Sequence, residues 1–145
     1  MCQPAAAGTI SIAGIRGKSL ETIESRMARI KSALYGIRSP AAPGEYDLHK
    51  LIADALTLAG LEAHHEYKLG ARCRIDFIVD DIGIEVKKGR PTPSLLRKQL
   101  ARYLEYDAIH GAIIVTQQSV LLPERILCKP IVCLSLNKLW GVALP

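Results

Sequence analysis

Two carboxylates and one amine occur at a spacing that suits metal-assisted chemistry. Asp76, Glu85 and Lys87 lie within the segments 73–79 and 82–88, in which apolar and polar residues alternate. Because successive side chains of a strand point to opposite faces, this alternation predicts two antiparallel strands joined by a two-residue turn. The chemistry-bearing residues are then carried by a single hairpin.

The length of that turn determines which residues face each other. If Val79 pairs with Ile82, the same register places Asp76 opposite Glu85. Opposed residues have Cβ atoms about 4.5 to 5.5 Å apart, so the two carboxylates should repel each other unless a cation lies between them. A one-residue change in the turn would put the acids on different faces.

The apolar side chains of the two strands are expected to share the other face of the sheet. They are Ile75, Phe77, Val79, Ile82, Ile84 and Val86. Asp76, Glu85 and Lys87 would then project together away from this core face. The alternative interpretation is a surface hairpin whose charged residues only cover an exposed face.

Oxygen-rich sites of two or three carboxylates suit Mg²⁺ or Mn²⁺, and one or two ions are expected here. Such an ion acts as a Lewis acid and generates hydroxide near neutral pH. Lys87 can orient the attacking water or stabilise charge that develops on a phosphorane.

A third acid precedes the hairpin. Glu45 opens a predicted helix and borders its apolar stripe, which includes Leu48 and Ile52, so it can reach the site. Asp47 is an alternative for the same role. The other interpretation of Glu45 is a helix N-terminal carboxylate that the helix dipole favours.

A basic stretch follows the acids and contains no acidic residue. Its members between positions 87 and 102 are Lys87, Lys88, Arg90, Arg97, Lys98 and Arg102. A basic surface beside a metal site suits a phosphate backbone, although a solvated helix face has the same composition. Gln99 and Tyr103 lie four residues apart on one helix face, where they could contact metal-bound water or DNA.

Hydrophobic spacing predicts the elements that position these residues. Amphipathic helices are expected over 20–34, with Ser19 as N-cap, and over 45–59, with Glu45 at its start and Gly60 ending it. Strands are predicted at 64–69, 73–79, 82–88, 112–115 and 130–136, a helix at 94–107, and a C-terminal anchor at Trp140. The stretch 1–18 is interpreted either as a mobile arm or as containing a short edge strand at 9–15. The result is an α/β fold with a mixed sheet, divided into an N-terminal arm and helix over 1–43 and a domain over 44–145.

Composition narrows the class of protein. The 145 residues carry a formal charge of +5 with a pI near 9.1, which favours polyanionic partners. The four cysteines lack metal-ligand spacing and are read as reduced thiols rather than a zinc or iron-sulfur site. Without a signal sequence or membrane-spanning run, we expect a soluble, cytoplasmic protein that does not bind membranes.

The histidines receive structural interpretations. His49 and His110 are read as surface or end-of-element residues, and a zinc site at His64 and His65 is disfavoured. His65 or Glu66 could still line the cleft beside Asp76, because they lie on the neighbouring predicted strand.

The pattern Arg74-Ile75-Asp76-Phe77 followed by 83–89, Gly-Ile-Glu-Val-Lys-Lys-Gly, resembles the PD-(D/E)XK nuclease superfamily over about residues 44–115. The resemblance implies a restriction-endonuclease-like core of helix, three-stranded meander, helix and strand, here with an extra N-terminal helix. It also implies that Asp76, Glu85 and Lys87 are the D, E and K of the motif and that Glu45 is the helix-borne acid. Ile75 stands where the family's proline, which is often missing, would be.

The resemblance extends to the second helix and to the reaction. Gln99 and Tyr103 look like the QxxxY element of RecB-type and lambda-exonuclease-like members. We therefore expect Mg²⁺- or Mn²⁺-dependent hydrolysis of DNA by in-line attack that leaves a 5′-phosphate, either structure-selective or nonspecific. Helix 20–34 could form a homodimer or higher homo-oligomer, as in junction-resolving relatives, or it could simply pack on the core. The alternatives are a noncatalytic nucleic-acid-binding module, an RNA-directed nuclease and an interaction subunit of a larger assembly.

Overall fold

A computed structural model of the protein describes residues 21–37 and 45–139, with the side chains of 21–37 and 47–137. The elements are α1 (Ile23–Tyr35), α2 (Glu45–Leu58), β1 (Ala63–Gly70), β2 (Cys73–Val79), β3 (Ile82–Lys87), α3 (Pro93–Leu104), β4 (Gly111–Thr116), β5 (Arg125–Ile126), β6 (Lys129–Ser135) and α4 (Leu136–Leu139). The strand predicted at 9–15, Ser19 and Trp140 lie outside the described residues.

The strands form one mixed six-stranded sheet in the order β1-β2-β3-β4-β6-β5. The pairs β1–β2, β2–β3 and β5–β6 are antiparallel, whereas β3–β4 and β4–β6 are parallel. A parallel connection needs a crossover, and α3 supplies it between β3 and β4. This topology places β3, with Glu85 and Lys87, in the middle of the sheet.

Helices cover both faces of the sheet and define two cores. On one face, α1 and α2 contribute Met27, Ile30, Leu48 and Ile52 to a cluster that includes Phe77. On the other face, α3 covers a second cluster, whose members include Leu96, Leu100, Ala112 and Ile114. All six residues of β4 are buried, as expected for a strand with helices on both sides.

The α/β class, the mixed sheet and the segment order agree with the sequence analysis. The differences are at element ends and in the short elements. Helix α1 begins at Ile23, and its N-cap is Thr22, whose hydroxyl accepts the Ser25 backbone N–H at 3.1 Å. The elements β5 and α4 were not predicted, because two and four residues are too few to show a period.

Cys73 and Cys133 are free thiols, as expected. Cys128 is disulfide-bonded, so the expectation of reduced thiols is wrong there.

Within residues 21–37 and 45–139, every helix is too short or too polar to cross a membrane.

Candidate active site

The hairpin β2–β3 has the predicted register. Val79 pairs with Ile82, and Phe77 pairs with Ile84. The ladder ends there, so Asp76 and Glu85 stand opposite each other by register but do not form a backbone pair. The two-residue turn is therefore confirmed, and it brings the two acids to the same place in the sheet.

The predicted faces are wrong at Ile75. It belongs to the core under α3, whereas Phe77 belongs to the core under α1 and α2. A Cβ added to Gly83 would collide with Cδ1 of Ile75, which places that side chain on the α3 face. Residues two apart in a strand normally share a face, so the alternation of β2 changes phase at Asp76.

Asp76 lies at this change of phase and contacts groups from both layers. Its Oδ2 accepts the backbone N–H of Val86 at 2.8 Å and lies 3.7 Å from Nε2 of His49 on α2. Its charge is also one of the causes that raise the pKa of Glu85, which faces α3. Asp76 thus connects the two sides of the sheet at the site.

Glu85 is a nearly buried carboxyl, with 4% of the residue exposed. Burial and the negative charge of Asp76 raise its pKa from 4.5 to about 8, against the opposing effects of Lys87 and the Tyr103 hydroxyl. Its Oε2 is buried and has no hydrogen bond of acceptable geometry. A buried acid in this state is a candidate functional group.

Helix α3 and β3 supply the neighbours of Glu85. The Gln99 amide donates to Oε1 of Glu85 at 3.4 Å and to the Tyr103 hydroxyl at 2.8 Å. Nζ of Lys87 lies 3.5 Å from the same Oε1. The predicted residues Glu85, Lys87, Gln99 and Tyr103 therefore come together in one cluster.

Tyr103 is part of this pocket rather than of the surface. Only 5% of the residue is exposed, and burial together with the charge of Glu85 raises the pKa of its hydroxyl. Its hydroxyl contacts the carboxylate pocket, and its contact with nucleic acid stays a prediction. The basic residues predicted to bind nucleic acid are all exposed, namely Lys88, Arg90, Arg97, Lys98 and Arg102.

The sequence analysis did not assign His49 to the site. Its Nδ1 lies 3.0 Å from Nε2 of His65, and its ring centroid lies 5.6 Å from that of Phe77. Its Nε2 is buried, has no hydrogen-bond partner and lies 3.7 Å from Oδ2 of Asp76. The signal was present in the sequence, because His49 follows Glu45 by four residues and so shares its helix face.

Other predicted residues can be placed less fully. Glu45 is the first residue of α2, but its side chain lies outside the described part, so its role remains a prediction. Asp47 is exposed on the same helix. Among the described side chains, no group of three His, Cys, Asp or Glu residues is arranged to hold a metal ion.

The residues present nevertheless fit a divalent cation. Asp76 and Glu85 are adjacent acids with mutual repulsion, and Glu85 Oε2 and His49 Nε2 are buried polar atoms without partners. Buried polar atoms normally have partners, so each of these two atoms could interact with a further group. Mg²⁺ keeps several waters and needs only one or two protein carboxylates.

Comparison of the chain with protein-family models, with curated proteins and with solved structures found no match.

Proposed function

We propose that this protein is a Mg²⁺- or Mn²⁺-dependent nuclease that hydrolyses phosphodiester bonds in DNA and has the restriction-endonuclease-like core of the PD-(D/E)XK superfamily. The observation that carries the proposal is Glu85, a buried acid beside a second acid and a lysine, with one oxygen unpartnered. A purely structural role would leave the buried Oε2 of this carboxyl without a partner, at an energetic cost.

Asp76 and Glu85 would hold the cation, with His49 and Glu45 as further ligands. When bound, the cation supplies Lewis acidity toward a phosphate oxygen and a lowered pKa for water. Lys87, whose side chain is 30% exposed at the end of β3, would orient the attacking water and stabilise the negative charge that develops on the phosphorus oxygens. Attack in line with the leaving oxygen would give a 5′-phosphate.

Gln99 and Tyr103 support the reaction by fixing Glu85. The Gln99 amide donates to Oε1, and Oε2 has no hydrogen-bond partner and would bind the cation. Outer groups of this kind set the orientation of a metal ligand. The exposed basic residues that follow β3 would attract the phosphate backbone without reading base sequence.

The test is digestion of linear duplex, circular, single-stranded and branched DNA, and of RNA, with and without Mg²⁺. We expect DNA cleavage that EDTA abolishes and that Asp76→Ala removes while DNA binding persists. The exposed neighbour Lys88→Ala is the matched control for Lys87→Ala. At saturating DNA, Lys87→Ala should lower cleavage about 10²- to 10³-fold, whereas Lys88→Ala should leave it unchanged.

Each alternative function gives a different result in this experiment. Cleavage of RNA and not of DNA would show that the substrate is RNA. Cleavage of linear DNA with survival of circular DNA would show that the enzyme is an exonuclease. DNA binding by the parent protein without cleavage under any metal would contradict the enzyme and favour a noncatalytic binding module.

A further inference from the structure

In the neighbouring strands β1 and β2, the alternation of side chains between the two faces of the sheet is interrupted at the same place. This place is Asp76 in β2 and the facing residue Glu66 in β1. In β1, His65 pairs with Phe77 and Tyr67 pairs with Ile75, but Glu66 and Asp76 between them do not pair. Both strands keep their register across this gap. The irregularity is therefore a local rotation of the backbone and not an inserted residue.

Side-chain contacts identify the rotation independently. The rings of His64 and Tyr67 lie 6.2 Å apart between centroids, although residues three apart in a regular strand point to opposite faces. The ring of His65 stacks on Phe77 at 4.7 Å, on the α2 side. Strand β1 thus changes faces between His65 and Tyr67, as β2 does between Phe77 and Ile75.

Glu66 has the backbone conformation that produces this change. Its φ is +53°, in the left-handed region that residues other than glycine rarely adopt. Its side chain is 55% exposed and contacts Arg74 only at 3.9 Å, so no strong side-chain interaction explains the conformation. Strained residues that persist in a fold cluster at functional sites.

The interrupted alternation changes the direction of the Asp76 carboxylate. In a regular strand Asp76 would point to the α3 face and away from His49 on α2. The change of phase turns its carboxylate toward β3, where Oδ2 accepts the Val86 N–H and lies 3.7 Å from His49 Nε2. Asp76 can then approach groups of both layers.

We propose that Glu66 is a positioning residue of the site, whose left-handed backbone conformation turns the Asp76 carboxylate into place between His49 and Glu85. The inference rests on the proposed function, because it assigns Glu66 to the orientation of a metal ligand. The conformation matters and the carboxylate does not. Residues that tolerate positive φ should therefore replace Glu66, and β-branched residues should not.

The experiment compares Glu66→Gly, Glu66→Asn, Glu66→Ala and Glu66→Val. Asp80 provides a matched control, because it also has a positive φ, +54°, but lies in the β2–β3 turn away from the site. Asp80→Val imposes the same backbone conflict there. The alanine variant keeps the test valid if Glu66→Val does not fold.

Two readouts separate positioning from general stability. The first is hydrogen exchange of the Val86 amide in the metal-free protein, relative to the buried Ile114 amide of β4. The second is Mn²⁺ affinity. Gly and Asn at position 66 should preserve both, whereas Val should expose the Val86 amide selectively and weaken Mn²⁺ binding about 10- to 100-fold, the effect of losing outer support of a metal ligand.

The proposal is overturned if Glu66→Val leaves the Val86 amide protected, or if Asp80→Val produces the same selective loss. A parent protein that binds no Mn²⁺ would contradict the proposed function. The Val86 readout would still decide whether Glu66 orients Asp76, so the two failures are distinguishable.

Discussion

Nζ of Lys87 lies 3.5 Å from Oε1 of Glu85, an amine and a nearly buried acid that project from the same face of one strand. The lysine charge lowers the pKa of Glu85, against burial and the charge of Asp76, which raise it. The pair therefore couples the group proposed to act on water with the group proposed to hold the metal.

Replacement of Lys87 tests this coupling. In Lys87→Ala we expect a loss of cleavage of about 10²- to 10³-fold, because a charge-stabilising donor is removed. Mn²⁺ binding should persist but require a higher pH, since Glu85 loses a neighbour that favours its charged form. Binding titrations between pH 6 and 9 measure this. An unchanged pH dependence would contradict the coupling.

Glu85 should make the metal-free protein less stable as the pH rises. Its folded pKa of about 8 exceeds its ordinary value of 4.5, so the folded state retains a proton that the unfolded state releases. The contribution of protonated Glu85 to the free energy of unfolding is fully present below pH 4.5 and is lost as the pH rises through about 8. The free energy of unfolding should fall by an amount on the order of a few kcal/mol over this range.

Glu85→Gln removes this dependence because it cannot ionise. In urea unfolding without metal, the free energy of unfolding of the variant should rise relative to that of the parent between pH 5 and pH 8.5. Asp76→Asn provides the control, since removal of one repulsive charge should flatten the slope only in part. Parallel pH profiles for parent and Glu85→Gln would refute the raised pKa.

The Gln99 amide is predicted to matter through Glu85. Gln99→Leu removes the donor to Oε1 and to the Tyr103 hydroxyl. We expect metal affinity or activity to fall about 10- to 100-fold, as for other groups that orient metal ligands. Exposed Lys98→Leu on the same helix is the control, read out by Mn²⁺ affinity. Equal Mn²⁺ affinities in the two variants would remove Gln99 from the site.

The exposed basic residues of α3 should act on binding and not on chemistry. Arg97→Ala and Lys98→Ala should weaken DNA binding at all sequences and reduce the slope of log affinity against log salt by about 1 each. Cleavage at saturating DNA should be unchanged. Lys31→Ala on α1 is the control. Salt slopes that do not respond would exclude this surface from DNA binding.

Much of the hairpin could be predicted because the alternation and the two-residue turn jointly determine its register. The position of Ile75 could not, because the backbone rotation at Glu66 has no signature in residue type: glutamate gives no sign of a positive φ. His49 was missed because a helix stripe was read for its apolar residues alone. Its spacing from Glu45 carried the information.

The most direct test is to locate manganese in crystals of the protein soaked with Mn²⁺. Anomalous scattering should show an ion between the carboxylates of Asp76 and Glu85, and Asp76→Ala crystals should lack it. Manganese bound elsewhere, or no ion at these two residues at a pH where Glu85 is ionised, would contradict the account.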